Sequence, residues 1–127
     1  MAGKGAVIVV EDEIIVGMDL AMSLESAGYT VIGPYASASA ALAALADAEA
    51  EPVAGVLDVN LGDGQTSEPV AEKLQAMDAP FLFLTGYASG RNAVFERFPD
   101  IPRLSKPCMP EALMAAVDRI ARNGRSA

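Results

Sequence analysis

Hydrophobic and polar positions follow two periods along this chain. Short apolar runs recur at Ala6–Val10, Val53–Leu57 and Phe81–Thr85, with further strands expected at Tyr29–Gly33 and Ile101–Ser105. Runs this short, rich in β-branched or aromatic residues and bounded by turn residues, read as strands buried on both faces. Between them the period lengthens to that of a helix. The first predicted helix runs to about Ala27, stopped by Gly28, with Val16, Leu20, Leu24 and Ala27 facing in and Asp19, Ser23 and Ser26 facing out. Ile14, Ile15, Met18 and Met22 are left over. We read them as widening the core face, with a partner-docking surface as the alternative.

The second strand should end at Gly33-Pro34, and Ser37 or Ser39 can cap an Ala-rich helix reaching about Ala50, with Leu42 and Leu45 facing in. A third helix is expected from about Glu68 to Met77, burying Val70 (or Ala71) and Leu74, before the boundary at Pro80. Gly86–Gly90 reads as a turn, and a short helix from about Asn92 to Phe98 follows. Pro110 suits the first turn of a last helix, whose core stripe is Leu113, Val117 and Ile120 and whose stop is Gly124. Arg119 and Arg122 lie near its C-terminal end, where the helix dipole favours cations. Five strands alternating with five helices predict an α/β fold with a parallel sheet covered on both faces. The 127 residues are expected to form one domain, with no output domain after Gly124.

Composition narrows the chemistry. The formal net charge is −8, a poor match for nucleic acid or an anionic membrane. No apolar run approaches the roughly 20 residues that span a bilayer, and the N-terminus lacks a signal-peptide core, so a cytoplasmic protein is expected. The chain contains no histidine and one cysteine, Cys108, which excludes zinc-type ligand spacing and every Ser-His-Asp or Cys-His arrangement. Cys108 itself reads as a bystander, Met109 and Met114 as core or rim, and Asp63 as a turn residue.

Polar residues with chemical potential fall at the C-terminal ends of four predicted strands. Glu11 and Asp12 follow the first, Asp58 ends the third, Thr85 ends the fourth and Lys106 follows the fifth. In a parallel sheet those ends share one edge, where open α/β sheets place their ligands. Clustered carboxylates repel one another unless a cation neutralises them, and an all-oxygen set favours Mg²⁺ or Mn²⁺ over zinc. Either Glu11 or Glu13 is the second site acid, and we assign Glu11. A carboxylate nucleophile, a hard cation, a lysine and a hydroxyl are the parts that phosphoryl transfer requires.

The acid pair after the first strand, Leu57-Asp58, Leu84-Thr85-Gly86 and Lys106-Pro107 together resemble the receiver domain of two-component response regulators, over about residues 6–123. The resemblance implies a flavodoxin-like (βα)5 fold with strand order 2-1-3-4-5. It implies that Asp58 accepts a phosphoryl group from the phosphohistidine of a sensor histidine kinase. Asp12 and Asp58 would ligate Mg²⁺ by their side chains, Glu11 through water and Asn60 by its backbone carbonyl. Lys106 would contact the phosphoryl group ahead of a cis bond to Pro107, and Thr85 would move to meet a phosphoryl oxygen.

Two positions depart from that pattern. Receivers usually carry Tyr or Phe three residues before the lysine, as a switch aromatic, and here that residue is Arg103. Phe83-Leu84-Thr85-Gly86-Tyr87 and the short loop Leu61-Gly62-Asp63-Gly64 instead resemble the Phe-Ala-Thr-Gly-containing subgroup of single-domain receivers. In that subgroup Tyr87 would be the replacement switch residue, and the partner kinase would be of the HWE/HisKA2 type. A stand-alone receiver would act in trans on a downstream protein or serve as a phosphate sink. Three rivals are weaker. A small Mg²⁺-dependent aspartyl-phosphate hydrolase wants a second acid where Asn60 stands, and a flavin carrier wants a Ser/Gly-rich loop where Glu11-Asp12-Glu13 stands. A non-phosphorylated receiver used only for binding has no need of the acid set.

Overall fold

The computed structural model describes residues 3–47, 49–86 and 93–125, with side chains through Arg122. Strands and helices alternate: β1 (Ala6–Val10), α1 (Ile14–Ser26), β2 (Thr30–Tyr35), α2 (Ala38–Leu45), β3 (Pro52–Asp58), α3 (Glu68–Ala76), β4 (Phe81–Thr85), α4 (Ala93–Arg97), β5 (Arg103–Ser105) and α5 (Pro110–Arg125). The sheet is parallel in the order β2-β1-β3-β4-β5, the flavodoxin-like arrangement expected.

Period-2 geometry makes each central strand feed two cores. Ile8, Val10, Leu57, Phe81 and Phe83 point to one face, where α2, α3 and α4 pack through Ala41, Leu45, Val70, Leu74 and Phe95. Val7, Val9, Val56, Leu82 and Leu84 point to the other, against Leu20 and Leu24 of α1 and Leu113, Val117 and Ile120 of α5. At Gly55 of β3 a Cβ would sit 2.7 Å from Leu74 Cδ1, so the absent side chain lets α3 close onto the sheet. Ser37 caps α2, its Oγ accepting the Ala40 amide at 3.2 Å. The Tyr29 hydroxyl donates to Asp118 of α5, tying the entry of β2 to the last helix.

Five expectations are corrected. Ile14 and Ile15 are 75% exposed, Met18 55% and Met22 62%, so these residues do not widen the core face; their stripe of α1 lies outward. Met109 is likewise exposed rather than core. β2 does not stop at Gly33-Pro34 but runs through it to Tyr35, which an edge strand allows because proline there removes no ladder donor that is needed; the register with β1 shifts between Ile8 and Val10. α2 ends at Leu45 rather than near Ala50, and α5 continues through Gly124 to Arg125, since alanine propensity and a lone glycine do not by themselves set a helix end.

Candidate functional site

β1 and β3 are neighbours whose outward connections run to opposite sides, which makes the gap between their C-terminal ends the switch point of the sheet. Glu11 follows β1 directly, its amide donating to the Tyr35 carbonyl at 2.9 Å. That anchor holds Glu11 at 2% exposure, while Asp12 is half-buried and Glu13 lies exposed at the start of α1. Asp58 is the last residue of β3 and 5% exposed, and one of its oxygens accepts the Asn60 amide at 3.3 Å. Oxygens of Glu11, Asp12 and Asp58 lie within 4.8 Å of one another.

Lys106 reaches this cluster from the far side of β4. Its amide donates to the Thr85 carbonyl at 2.8 Å, which fixes where the side chain starts. Its Nζ donates to Asp58 Oδ2 at 2.8 Å and forms an ion pair with Glu11 Oε1 at 2.9 Å; Glu13 Oε2 is farther, at 3.9 Å. The Glu11 contact is a charge pair made to a buried oxygen. Burial pushes the Glu11 carboxyl up to about 7; the Lys106 contact opposes this and the Asp58 charge adds to it. Burial works against the Lys106 ammonium, but Asp58 and then Glu11 outweigh it and hold the lysine above its ordinary range.

Glu11, Asp12, Asp58 and Lys106 are therefore brought together as expected, and Glu11 rather than Glu13 is the inner acid. Thr85 stands at the same edge, but its hydroxyl donates to the Gly86 carbonyl at 3.2 Å. Asn60 opens the loop after β3 and bridges to Thr66, so its backbone lies beside Asp58. Tyr87 lies outside the described residues. Arg103 is exposed on β5 and lays its guanidinium 4.2 Å from the centre of the Phe95 ring, linking β5 to α4. Cys108 is half-buried, and burial raises its thiol, which suits the bystander reading.

One site residue was missed in the sequence. Gly62, at φ 82°, turns the loop so that a Cβ there would lie 3.1 Å from Asp12 Oδ2. The signal was the Gly62-Asp63-Gly64 triplet; Asp63 and Gly64 also have positive φ, of 51° and 75°. The donor set fits a hard divalent cation. The carboxylates of Glu11, Asp12 and Asp58 lie within 4.8 Å of one another, and every donor they offer is an oxygen.

No protein-family model and no curated protein matches the chain. Solved structures do. A receiver domain of a diguanylate cyclase from Desulfovibrio desulfuricans G20 is 25% identical, with 94% of this chain and 95% of that one covered at a TM-score of 0.80. A CheY-like receiver domain protein from Methanospirillum hungatei JF-1 is 23% identical over 94% and 95% at a TM-score of 0.80. The fold is that of the CheY-like response regulator receiver domains. SdrG from Sphingomonas melonis Fr1 is 36% identical, covering 94% of this chain and 98% of its own at a TM-score of 0.78. SdrG thus matches over nearly the full length of both chains, while the two structures described as receiver domains, at 25% and 23% identity, share the receiver fold.

Proposed function

We propose that the protein is the phosphoacceptor of a two-component phosphorelay, working in the cytoplasm. The observation that carries this is Asp58: a buried carboxylate at the switch point, 2.8 Å from Lys106 Nζ and clustered with Glu11 and Asp12. An Asp58 oxygen attacks the phosphorus of a phosphohistidine on a sensor kinase. An O–P bond forms, the P–N bond breaks, and the imidazole leaves with the electron pair. Lys106 holds the carboxylate in place and offers its charge to the phosphoryl oxygens. Thr85 has only to turn its hydroxyl from the Gly86 carbonyl to become a donor at the same edge. Asp12 and Asp58, with the Asn60 carbonyl and Glu11 through water, would hold Mg²⁺ or Mn²⁺. Such an ion, when bound, neutralises the carboxylates and the charge on the transferring group. The chain is a phosphoacceptor rather than an enzyme acting on a separate substrate.

Exposure and position support a donor surface on α1. Ile14, Ile15, Met18 and Met22 form an outward apolar stripe, and Met22 also lines a groove of about 660 Å³ that reaches Lys106, Pro107 and Cys108. The Leu-Thr-Gly-Tyr motif, the short loop after Asp58 and Arg103 support membership of the single-domain Phe-Ala-Thr-Gly-type subgroup, with a kinase of HWE/HisKA2 type and a downstream protein bound in trans. Arg103 on Phe95 and Tyr87 are then the candidates for the switch role.

The test is incubation with acetyl phosphate, or with beryllofluoride, in the presence of Mg²⁺. We expect a mass increase of one phosphoryl group that Asp58→Asn abolishes. A parent protein that gains no mass and shows no Mg²⁺-dependent change, or an Asp58→Asn variant that behaves like it, would overturn the reading.

A further inference from the structure

Among the described residues α4 spans Ala93–Arg97. Its buried side is Val94 and Phe95, with Phe98 just beyond, set among Phe81 and Phe83 with ring centroids 5.8–6.1 Å apart. These rings meet edge to face, an arrangement their quadrupoles favour. The charged contact is made by Arg97. Its guanidinium hydrogen-bonds Glu68 and, at 2.6 Å, Glu72, two acids four residues apart on one face of α3. Without the arginine that pair of like charges repels.

Glu68 is the first residue of α3, at the end of the loop that starts at Asp58. Hydrogen bonds mark each step between them. Asp58 Oδ1 accepts the Asn60 amide at 3.3 Å, Asn60 bridges to Thr66, and Thr66 Oγ1 accepts the Glu68 amide at 3.2 Å. The Ser67 amide returns to the Val59 carbonyl at 3.2 Å and closes the loop on itself. A change at the Asp58 carboxylate therefore bears on the residue that α4 is hooked to, by a route that does not pass through Thr85.

We propose that Arg97 is a positioning residue, a clasp by which the loop after Asp58 sets the seat of α4. The coupling part of this rests on Asp58 being the phosphoacceptor; the clasp itself does not. The weak, exposed character of the ion pairs suits a clasp that shifts, because such contacts are easily remade. A demonstrated effect on a two-state element is what distinguishes this from mere adjacency.

Hydrogen exchange on the full chain tests it, using the parent, Arg97→Ala, Arg97→Lys and Glu68→Gln, each with and without beryllofluoride and Mg²⁺. Without ligand, Arg97→Ala should speed exchange of the α4 amides more than twofold with β1 and β3 unchanged, and Arg97→Lys should restore part of the protection. With ligand, the parent should change at both the loop of residues 59–67 and α4, whereas Arg97→Ala and Glu68→Gln keep the loop change and lose most of the α4 change. Ligand-free α4 exchange within twofold of the parent in Arg97→Ala overturns the clasp, and a full α4 response in that variant overturns the coupling. If beryllofluoride changes nothing in the parent, the phosphoacceptor reading fails, and the ligand-free comparison alone decides the clasp.

Discussion

Lys106 is the residue on which the site closes. It reaches two buried carboxylates from different strands, Asp58 at 2.8 Å and Glu11 at 2.9 Å, and its own ammonium is held charged by them. Removing one partner of such a group leaves the others desolvated and uncompensated. Lys106→Ala should therefore lower stability in Mg²⁺-free buffer by about 1–3 kcal/mol, less than the roughly 3–5 kcal/mol of a fully buried pair because the lysine is partly exposed. The same variant should gain phosphoryl from acetyl phosphate at least tenfold more slowly, measured by mass. Lys106→Arg should recover stability better than rate, since a planar fork still pairs with the carboxylates but does not place its charge where the compact ammonium does. The residue identities were legible because each lies where an apolar run stops. The direction of the Thr85 hydroxyl was not, because a strand-end threonine can choose among several backbone carbonyls.

Among the elements, the helices divide between burial and display. α5 spends its apolar stripe entirely on the core, through Leu113, Val117 and Ile120. α1 buries Leu20 and Leu24 yet shows Ile14, Ile15, Met18 and Met22 to solvent, a patch of the kind that marks a protein contact. Ile15→Asn and Met18→Gln should leave the melting temperature within about 2 °C, as exposed substitutions do, and still accept phosphoryl from acetyl phosphate. Transfer from the cognate kinase should fall severalfold or more; unaltered kinase transfer would remove α1 from the docking surface. Periodicity alone could not separate a wide core face from a docking face, because both are apolar and only the position of the neighbouring helices decides. Gly55 shows the opposite case, a residue whose meaning is entirely its neighbour. Gly55→Ala would bring Cβ to 2.7 Å from Leu74 Cδ1 and 3.3 Å from Phe81 Cβ. Overpacking of this kind costs roughly 1–3 kcal/mol, and thermal denaturation should register it with Asp58 chemistry unchanged.

At the scale of the whole molecule, the parallel sheet gathers charge at one edge, and that edge costs stability. Strand order and the site edge follow from alternation and from the places where apolar runs end in acids, so both were legible in the sequence. The burial that sets Glu11 apart from Glu13 was not, since it depends on the β2 carbonyl that Glu11 bonds. Glu11 in the folded chain holds its proton up to about 7, against an ordinary value of 4.5. Because the folded state binds this proton more tightly than the unfolded one, the Glu11 contribution favours folding most below about pH 4.5. It declines as pH rises toward 7, and above 7 the buried charge stands against folding. Glu11→Gln should thus raise the melting temperature of Mg²⁺-free protein at pH 8 while changing it little at pH 4.5. Mg²⁺ binding at this site would have to displace the Glu11 proton, so stabilisation by the ion should be largest at pH 8 and should shrink below pH 7. At a concentration a hundredfold above its dissociation constant, the ion should add about 2.7 kcal/mol. Differential scanning calorimetry across pH 5–8, with Mg²⁺ and with EDTA, reads both effects. An Mg²⁺ increment independent of pH in the parent would mean that Glu11 does not belong to the ion's site, and an increment lost in Asp12→Asn but kept in Glu11→Gln would assign the ion to Asp12 and Asp58 alone.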